Sequence, residues 1–182
     1  MPKNCITEQS ARRQRWIENG LLELMLRRTF DEITVTDLCR HLELPRRSFY
    51  RYFRDLPDVL DSLLEHTFQD MAISDRPLDL EELAENYRFW TDRRELLDAL
   101  RRSGRIQRLY DYVLRYSSGE SIREYLTPAE DALDLSREAS TYIVSGFISL
   151  VIAWHADGFR RSPEEMAKIA WRLLFTPILK EP

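Results

Sequence analysis

Apolar residues recur at spacings of three and four along nearly the whole sequence, and this periodicity is the feature that most restricts the fold. Near the start, for example, Ile17, Leu21, Leu24 and Met25 would share one face of an α-helix. No stretch sustains the alternation of apolar and polar residues that a half-buried strand shows. Glycine is also scarce, with 5 in 182 residues. The pattern predicts an all-α protein.

The chain has enough apolar residues for a sizeable core, because 43% of its residues are hydrophobic. Its two cysteines, Cys5 and Cys39, neither form a disulfide framework nor show metal-ligand spacing. Residues 141–156 are apolar but contain two serines and fall short of a span of roughly 20 residues, so we interpret them as a buried helix. The first residues do not resemble a secretory signal. We therefore expect a cytoplasmic protein with no membrane partner.

Charge is distributed unevenly along the chain. Residues 1–54 carry 11 Lys and Arg against 7 Asp and Glu, a balance of +4, although the whole chain has a formal net charge of −4. The remaining residues carry 16 and 24, a balance of −8. This asymmetry predicts that the two parts of the chain have different tasks.

A capped short helix, a tight turn and an arginine-rich helix are predicted between residues 34 and 55. Thr34 precedes Asp37 by three residues, the spacing of a capping box at a helix start. Pro45 disfavours helical geometry at the residue before it but suits a first helical turn. Two short helices joined in this way are typical of a helix-turn-helix, whose second helix enters the major groove of DNA.

The second helix of this motif carries the side chains that duplex DNA requires. Phosphates demand a cationic surface even on an acidic protein. An arginine fork can hold guanine O6 and N7 together, so Arg46 and Arg47 are predicted to read bases, whereas hydroxyls suit phosphate oxygens. Phe49 and Phe53 would face inward. A merely solvated, charged helix face is the alternative interpretation. The predicted DNA-binding residues are Thr34, Arg46, Arg47, Ser48, Tyr50, Tyr52 and Arg54.

Residues 30–64, FDEITVTDLCRHLELPRRSFYRYFRDLPDVLDSLL, resemble the DNA-binding domain of TetR-family regulators. Glu43 stands where the family's turn often has glycine, and Pro45 where serine or threonine is common. Leu56 replaces a lysine that often contacts phosphate. We expect Glu43 to strain the turn and Arg54 to supply the phosphate contact. The residues that match the family pattern are Thr34, Val35, Phe49, Tyr50, Tyr52 and Phe53.

Residues 146–174, GFISLVIAWHADGFRRSPEEMAKIAWRLL, are similar to the last two helices of one C-terminal subtype of this family. The resemblance implies a homodimer in which these helices form a four-helix bundle with those of the partner. Packing within one subunit is the alternative. The predicted interface residues are Phe147, Val151, Met166, Ile169, Ala170, Leu173 and Leu174.

Many of the chain's aromatic residues lie in residues 57–182. Tyrosine offers both ring surface and a hydroxyl that can orient a ligand, so these residues, together with the resemblance, predict a pocket for a small apolar or aromatic effector. Core packing explains the same rings almost equally well. The candidate pocket residues are Tyr87, Trp90, Tyr110, Phe147 and Trp154.

We therefore expect an N-terminal three-helix helix-turn-helix domain, residues 1–56, joined to a larger C-terminal helical dimerisation and effector domain, residues 57–182. The predicted function is a transcriptional regulator bound to a roughly palindromic operator, most simply a repressor released by an effector. An activator or co-activator acting through a partner protein, and a helical adaptor without DNA binding, are the alternatives. The histidines lack metal-ligand spacing and no nucleophile is apparent, so we expect no metal, cofactor or enzymatic site.

Overall fold

A computed structural model describes residues 7–71, 79–116 and 136–175, and in these ranges every regular element is a helix. A short 3₁₀ turn, Phe30–Glu32, precedes the second helix. The predicted all-α fold class is confirmed. The sequence favours loops at residues 117–120 and 127–128, which lie outside the described residues. The helices are α1 Glu8–Met25, α2 Val35–His41, α3 Arg46–Tyr52, α4 Leu56–Asp70, α5 Leu80–Thr91, α6 Arg94–Arg102, α7 Ile106–Tyr116, α8 Ser136–Ala156 and α9 Pro163–Phe175.

The first of two compact units contains the chain up to Asp70 together with Glu95–Leu109. In it α1 packs on α2 and α4, and α2 packs on α3. Contacts thus group α4 and most of α6 with the first three helices, whereas the domain boundary predicted after residue 56 stays a prediction. The largest fully buried apolar side chains of this unit include Ile17, Leu21, Leu38, Phe49, Phe53, Leu60 and Leu64.

The second unit contains Met71–Arg94 and the described residues from Tyr110 onward. Its most extensive helix pair is α5 with α9. An ion pair joins these helices at the surface, with Arg88 Nη2 lying 3.0 Å from Glu164 Oε1. The buried residues of this unit include Leu83, Tyr87, Trp90, Val151, Trp154, Met166 and Ala167.

Local sequence signals determine where α8 ends and where α9 begins. Gly158 ends α8 with a φ of +75°, a conformation that glycine adopts without steric cost. At the start of α9 the Glu165 N–H donates to Ser162 Oγ at 3.2 Å, and the Ser162 N–H donates to Glu165 Oε2 at 2.8 Å. This reciprocal pair is a capping box.

The structure corrects the expectation that the long apolar helix is buried. Within α8, Arg137–Ala156 is long and apolar enough to span a membrane by length and composition, a test that core helices also pass. Only 24% of its most apolar window is buried. Ile148, Val151 and Trp154 are buried, whereas Tyr142 is 78% exposed. The helix packs through its C-terminal half, whereas much of its N-terminal half is not covered by the described residues.

Candidate nucleic-acid interface

The start of α2 is fixed by a reciprocal cap. The Asp37 N–H donates to Thr34 Oγ1 at 3.1 Å, and the Thr34 N–H donates to Asp37 Oδ2 at 3.0 Å. The Thr34 hydroxyl also donates to this carboxylate, and these hydrogen bonds lower the pKa of Asp37. The exposed Thr34 hydroxyl thus already takes part in the helix cap, and its contact with phosphate stays a prediction.

The turn between α2 and α3 passes through the left-handed backbone region at Glu43, which has a φ of +48°. This conformation costs a residue with a Cβ roughly 1–2 kcal/mol, which is why glycine is favoured there. After the turn the Leu44 N–H donates to the Cys39 carbonyl at 2.8 Å. Glu43 therefore adopts the conformation that glycine favours.

Helix α3 presents cations and hydroxyls on one side and phenyl rings on the other. Phe49 and Phe53 are 0% and 1% exposed and anchor the helix to the core. On the outer side Arg46 Nη2 donates to Tyr50 Oη at 3.2 Å, a hydrogen bond that raises the pKa of Arg46. Arg47, Ser48, Tyr50 and Arg51 line a shallow surface cleft. Because α3 contains no acidic residue, its outer face can donate hydrogen bonds to phosphate oxygens and present arginine guanidinium groups to bases.

The link from α3 to α4 holds one exposed arginine in place. The Arg54 N–H donates to Asp58 Oδ2 at 2.9 Å, and its guanidinium lies 3.0 Å from Asp58 Oδ1. Burial raises the pKa of Asp58, but the hydrogen bonds from Arg54 leave it below its ordinary value. The Arg54 side chain is 74% exposed, whereas Leu56 is buried. Arg54 therefore has the exposure that a phosphate contact needs at this link.

A second cleft extends the basic surface to the start of α1. Arg51 Nη2 donates to Tyr52 Oη at 2.9 Å on one side, and the Arg13 guanidinium lies 4.5 Å from the centre of the Trp16 ring on the other. The sequence interpretation missed this extension, although Arg12 and Arg13 were an available signal. The residues lining the cleft are Thr7, Gln9, Ser10, Arg12, Arg13, Trp16, Arg51 and Tyr52.

Two histidines hold α1 against its neighbours. His66 Nδ1 lies 2.9 Å from both carboxylate oxygens of Glu18, a fully buried residue. The Ser62 hydroxyl donates a hydrogen bond to the same carboxylate at 2.7 Å. His41 Nε2 lies 2.6 Å from Glu23 Oε2. The first contact ties α1 to α4, and the second ties it to α2.

The structure brings together three of the five predicted effector-pocket residues. The Tyr87 ring centre lies 4.9 Å from that of Phe147 and 5.5 Å from that of Trp154. Tyr110 Oη lies 3.0 Å from the Ser149 hydroxyl on α8. Trp90 is fully buried and packs against the ring of its neighbour Phe89. The two clefts described above do not include these residues, so the effector pocket stays a prediction.

The predicted dimer residues separate into an inner and an outer group. The inner group, Val151, Met166 and Ala170, is at most 5% exposed within its own subunit. These residues can therefore stabilise an interface only by packing beneath the residues that form it. Leu173 is 41% exposed. The half-buried residues are Phe147, Ile169 and Leu174. The interface itself stays a prediction.

No protein-family model and no curated sequence matches this chain. Solved structures do match its fold. A TetR transcriptional regulator from Streptococcus agalactiae superposes with a TM-score of 0.66 at 18% identity, over 91% of this chain and 95% of that one. The fatty acid degradation regulator FadR from Bacillus halodurans gives 0.64 at 15% identity, over 93% and 97%. The dihydroxyacetone kinase operon activator DhaS gives 0.63 at 17% identity, over 88% and 93%.

These likenesses extend over nearly the whole of each chain, and they agree with the resemblance that the helix-turn-helix residues carry. At identities of 15–18% they concern the arrangement of the helices. This chain has the fold of the TetR-family transcriptional regulators.

Proposed function

We propose that this chain is a sequence-specific DNA-binding transcriptional regulator, most simply a repressor that a small effector releases from its operator. The observation that carries the proposal is the outer face of α3. Arg46, Arg47 and Tyr50 are exposed there, opposite the buried Phe49 and Phe53. A cationic face held rigidly on an otherwise acidic chain suits a polyanionic duplex.

Repression is the simpler form of this function because it requires only occupancy of the operator. One structural neighbour is named as an operon activator. Activation through a partner protein is therefore the second candidate. The two are distinguished by transcription in vitro from a promoter carrying the selected operator, with and without the protein.

A homodimer is part of the proposal, because two reading helices related by a two-fold axis match a roughly palindromic site. The outer residues Phe147, Ile169, Leu173 and Leu174 are the proposed contacts. Leu173 supports this assignment, since it is a large apolar side chain that one subunit leaves 41% exposed. The exposure of Tyr142 on α8 and Phe175 on α9, 78% and 56%, adds apolar surface on the same two helices.

The base-reading role is tested with a duplex selected from random sequences. The Arg46→Ala, Arg47→Ala double variant should bind it at least about tenfold more weakly, since one base-reading arginine contributes roughly 1–3 kcal/mol. The Arg101→Ala, Arg102→Ala double variant removes the same charge from the exposed end of α6 and is the matched control. Equal losses in both variants, or no loss in the first, would contradict a reading role for α3.

A further inference from the structure

The hydroxyl of Tyr87 is a buried polar group without a hydrogen-bond partner among the described residues. The residue lies on α5 and is 0% exposed, and its Oη atom has no hydrogen-bond partner in the part of the chain that the structure describes. Buried hydroxyls are almost always hydrogen-bonded, because burial without a partner leaves the cost of losing water uncompensated. Burial also raises the pKa of Tyr87, so the hydroxyl keeps its proton at physiological pH and remains a donor.

Two aromatic rings pack against the side chain of Tyr87. The ring of Phe147 lies 4.9 Å away at an angle of 44°, and the ring of Trp154 lies 5.5 Å away, edge to face. The Trp154 indole N–H already donates to the Arg161 carbonyl at 3.1 Å, so it does not compete for a ligand atom. Within its own subunit Phe147 is only half-buried, so it is the least enclosed ring of the three.

The charged residue next to Tyr87 on α5 is already paired. Arg88 points to the surface and holds Glu164 through Nε at 3.2 Å and Nη2 at 3.0 Å. A charged ligand brought against the rings would lose its hydration without gaining an ion pair with Arg88. An uncharged ligand with one acceptor oxygen would instead satisfy the Tyr87 hydroxyl.

We propose that Tyr87 anchors the effector by donating a hydrogen bond to a carbonyl or ether oxygen of an uncharged, flat, apolar molecule that lies against Phe147 and Trp154. The inference rests on the proposed function only in treating this ligand as the effector. It adds the chemical class of the ligand and the residue that selects it. Entry of the ligand displaces the Phe147 side chain, because Tyr87 is closed to solvent in the ligand-free chain.

The test uses two probes of nearly the same shape, acetophenone, which has an acceptor oxygen, and α-methylstyrene, in which a methylene group replaces that oxygen. Their dissociation constants are measured by tryptophan fluorescence with the full chain. The wild-type protein should prefer acetophenone about three- to tenfold, the contribution of one hydrogen bond. Tyr87→Phe should remove this preference. Tyr142→Phe, which deletes a hydroxyl that is open to solvent, is the matched control and should retain it.

The thermal stability of the ligand-free variants gives an independent result. Deleting a hydroxyl that has no partner should leave Tyr87→Phe as stable as the wild type or more stable. A loss of stability would mean that the hydroxyl has a structural partner, and it would overturn the proposal. A preference for acetophenone that survives in Tyr87→Phe, or no binding of acetophenone at millimolar concentration, would overturn it as well.

Binding to the selected operator, measured without probes, separates this inference from the proposed function. Tyr87→Phe should bind the operator as the wild type does, because Tyr87 lies outside α3. If operator binding is normal and the probe results are negative, the ligand assignment is wrong and the proposed function as a DNA-binding regulator stands. If the wild type binds no duplex, the proposed function fails whatever the probes show.

Discussion

Replacing Glu43 by glycine should stabilise the protein. Glu43 holds a φ of +48° in the turn between the two helices of the motif. The left-handed conformation costs a residue with a Cβ roughly 1–2 kcal/mol, and glycine avoids this cost. Glycine also gives the unfolded chain more conformational freedom, and this reduces the gain in the free energy of unfolding by roughly 0.5–1 kcal/mol. The expected net gain is about 0.5–1 kcal/mol.

The matched control is Glu43→Ala, which removes the same carboxylate but keeps a Cβ. Thermal unfolding should place Glu43→Gly above Glu43→Ala by about 1–4 °C, given the usual shift of 2–4 °C per kcal/mol for a chain of this size. Because both variants lose the same negative charge, their affinities for DNA should change by the same amount. If the alanine variant were as stable as the glycine variant, backbone strain at this position would be refuted.

Two further predictions concern the packing of α1. In Gly20→Ala a Cβ would lie 2.6–2.9 Å from Leu42 side-chain atoms, and this overpacking should cost about 1–3 kcal/mol against a gain of about 1 kcal/mol in helix propensity; a variant more stable than the wild type in urea unfolding would show that Leu42 moves aside freely. His66→Ala should cost about 1–3 kcal/mol, since it removes one hydrogen-bond partner from the buried Glu18 carboxylate, which keeps the Ser62 hydroxyl. His41→Ala breaks a pair whose acid is 59% exposed and should cost less than about 1 kcal/mol; equal losses in the two variants would contradict the role of burial.

The helix starts were predictable because local chemistry decides them. Thr34 with Asp37, and Ser162 with Glu165, each provide a hydroxyl and a carboxylate three residues apart, and both pairs form caps in the structure. The inward position of Phe49 could be predicted for a similar reason, since the helical period sets which side chains share a face.

The remaining features depend on contacts between residues that are distant in sequence. The grouping of α6 with the first helices, and the cleft that joins Arg13 to Arg51, follow from tertiary packing. The same reasoning explains why an apolar composition predicted burial for residues 141–156, although the N-terminal part of this segment is largely exposed. Nor does any sequence pattern indicate that the Tyr87 hydroxyl has no hydrogen-bond partner among the described residues, because that depends on how α5 packs against α8.

The most direct test of the central claim is whether the purified chain binds duplex DNA specifically and as a dimer. Duplexes selected from a random pool should converge on a roughly palindromic site that binds two chains, and the affinity should fall steeply as salt rises, because phosphate contacts release counterions. Unaltered electrophoretic mobility of every duplex at low salt would contradict the account and favour a helical adaptor that binds protein alone.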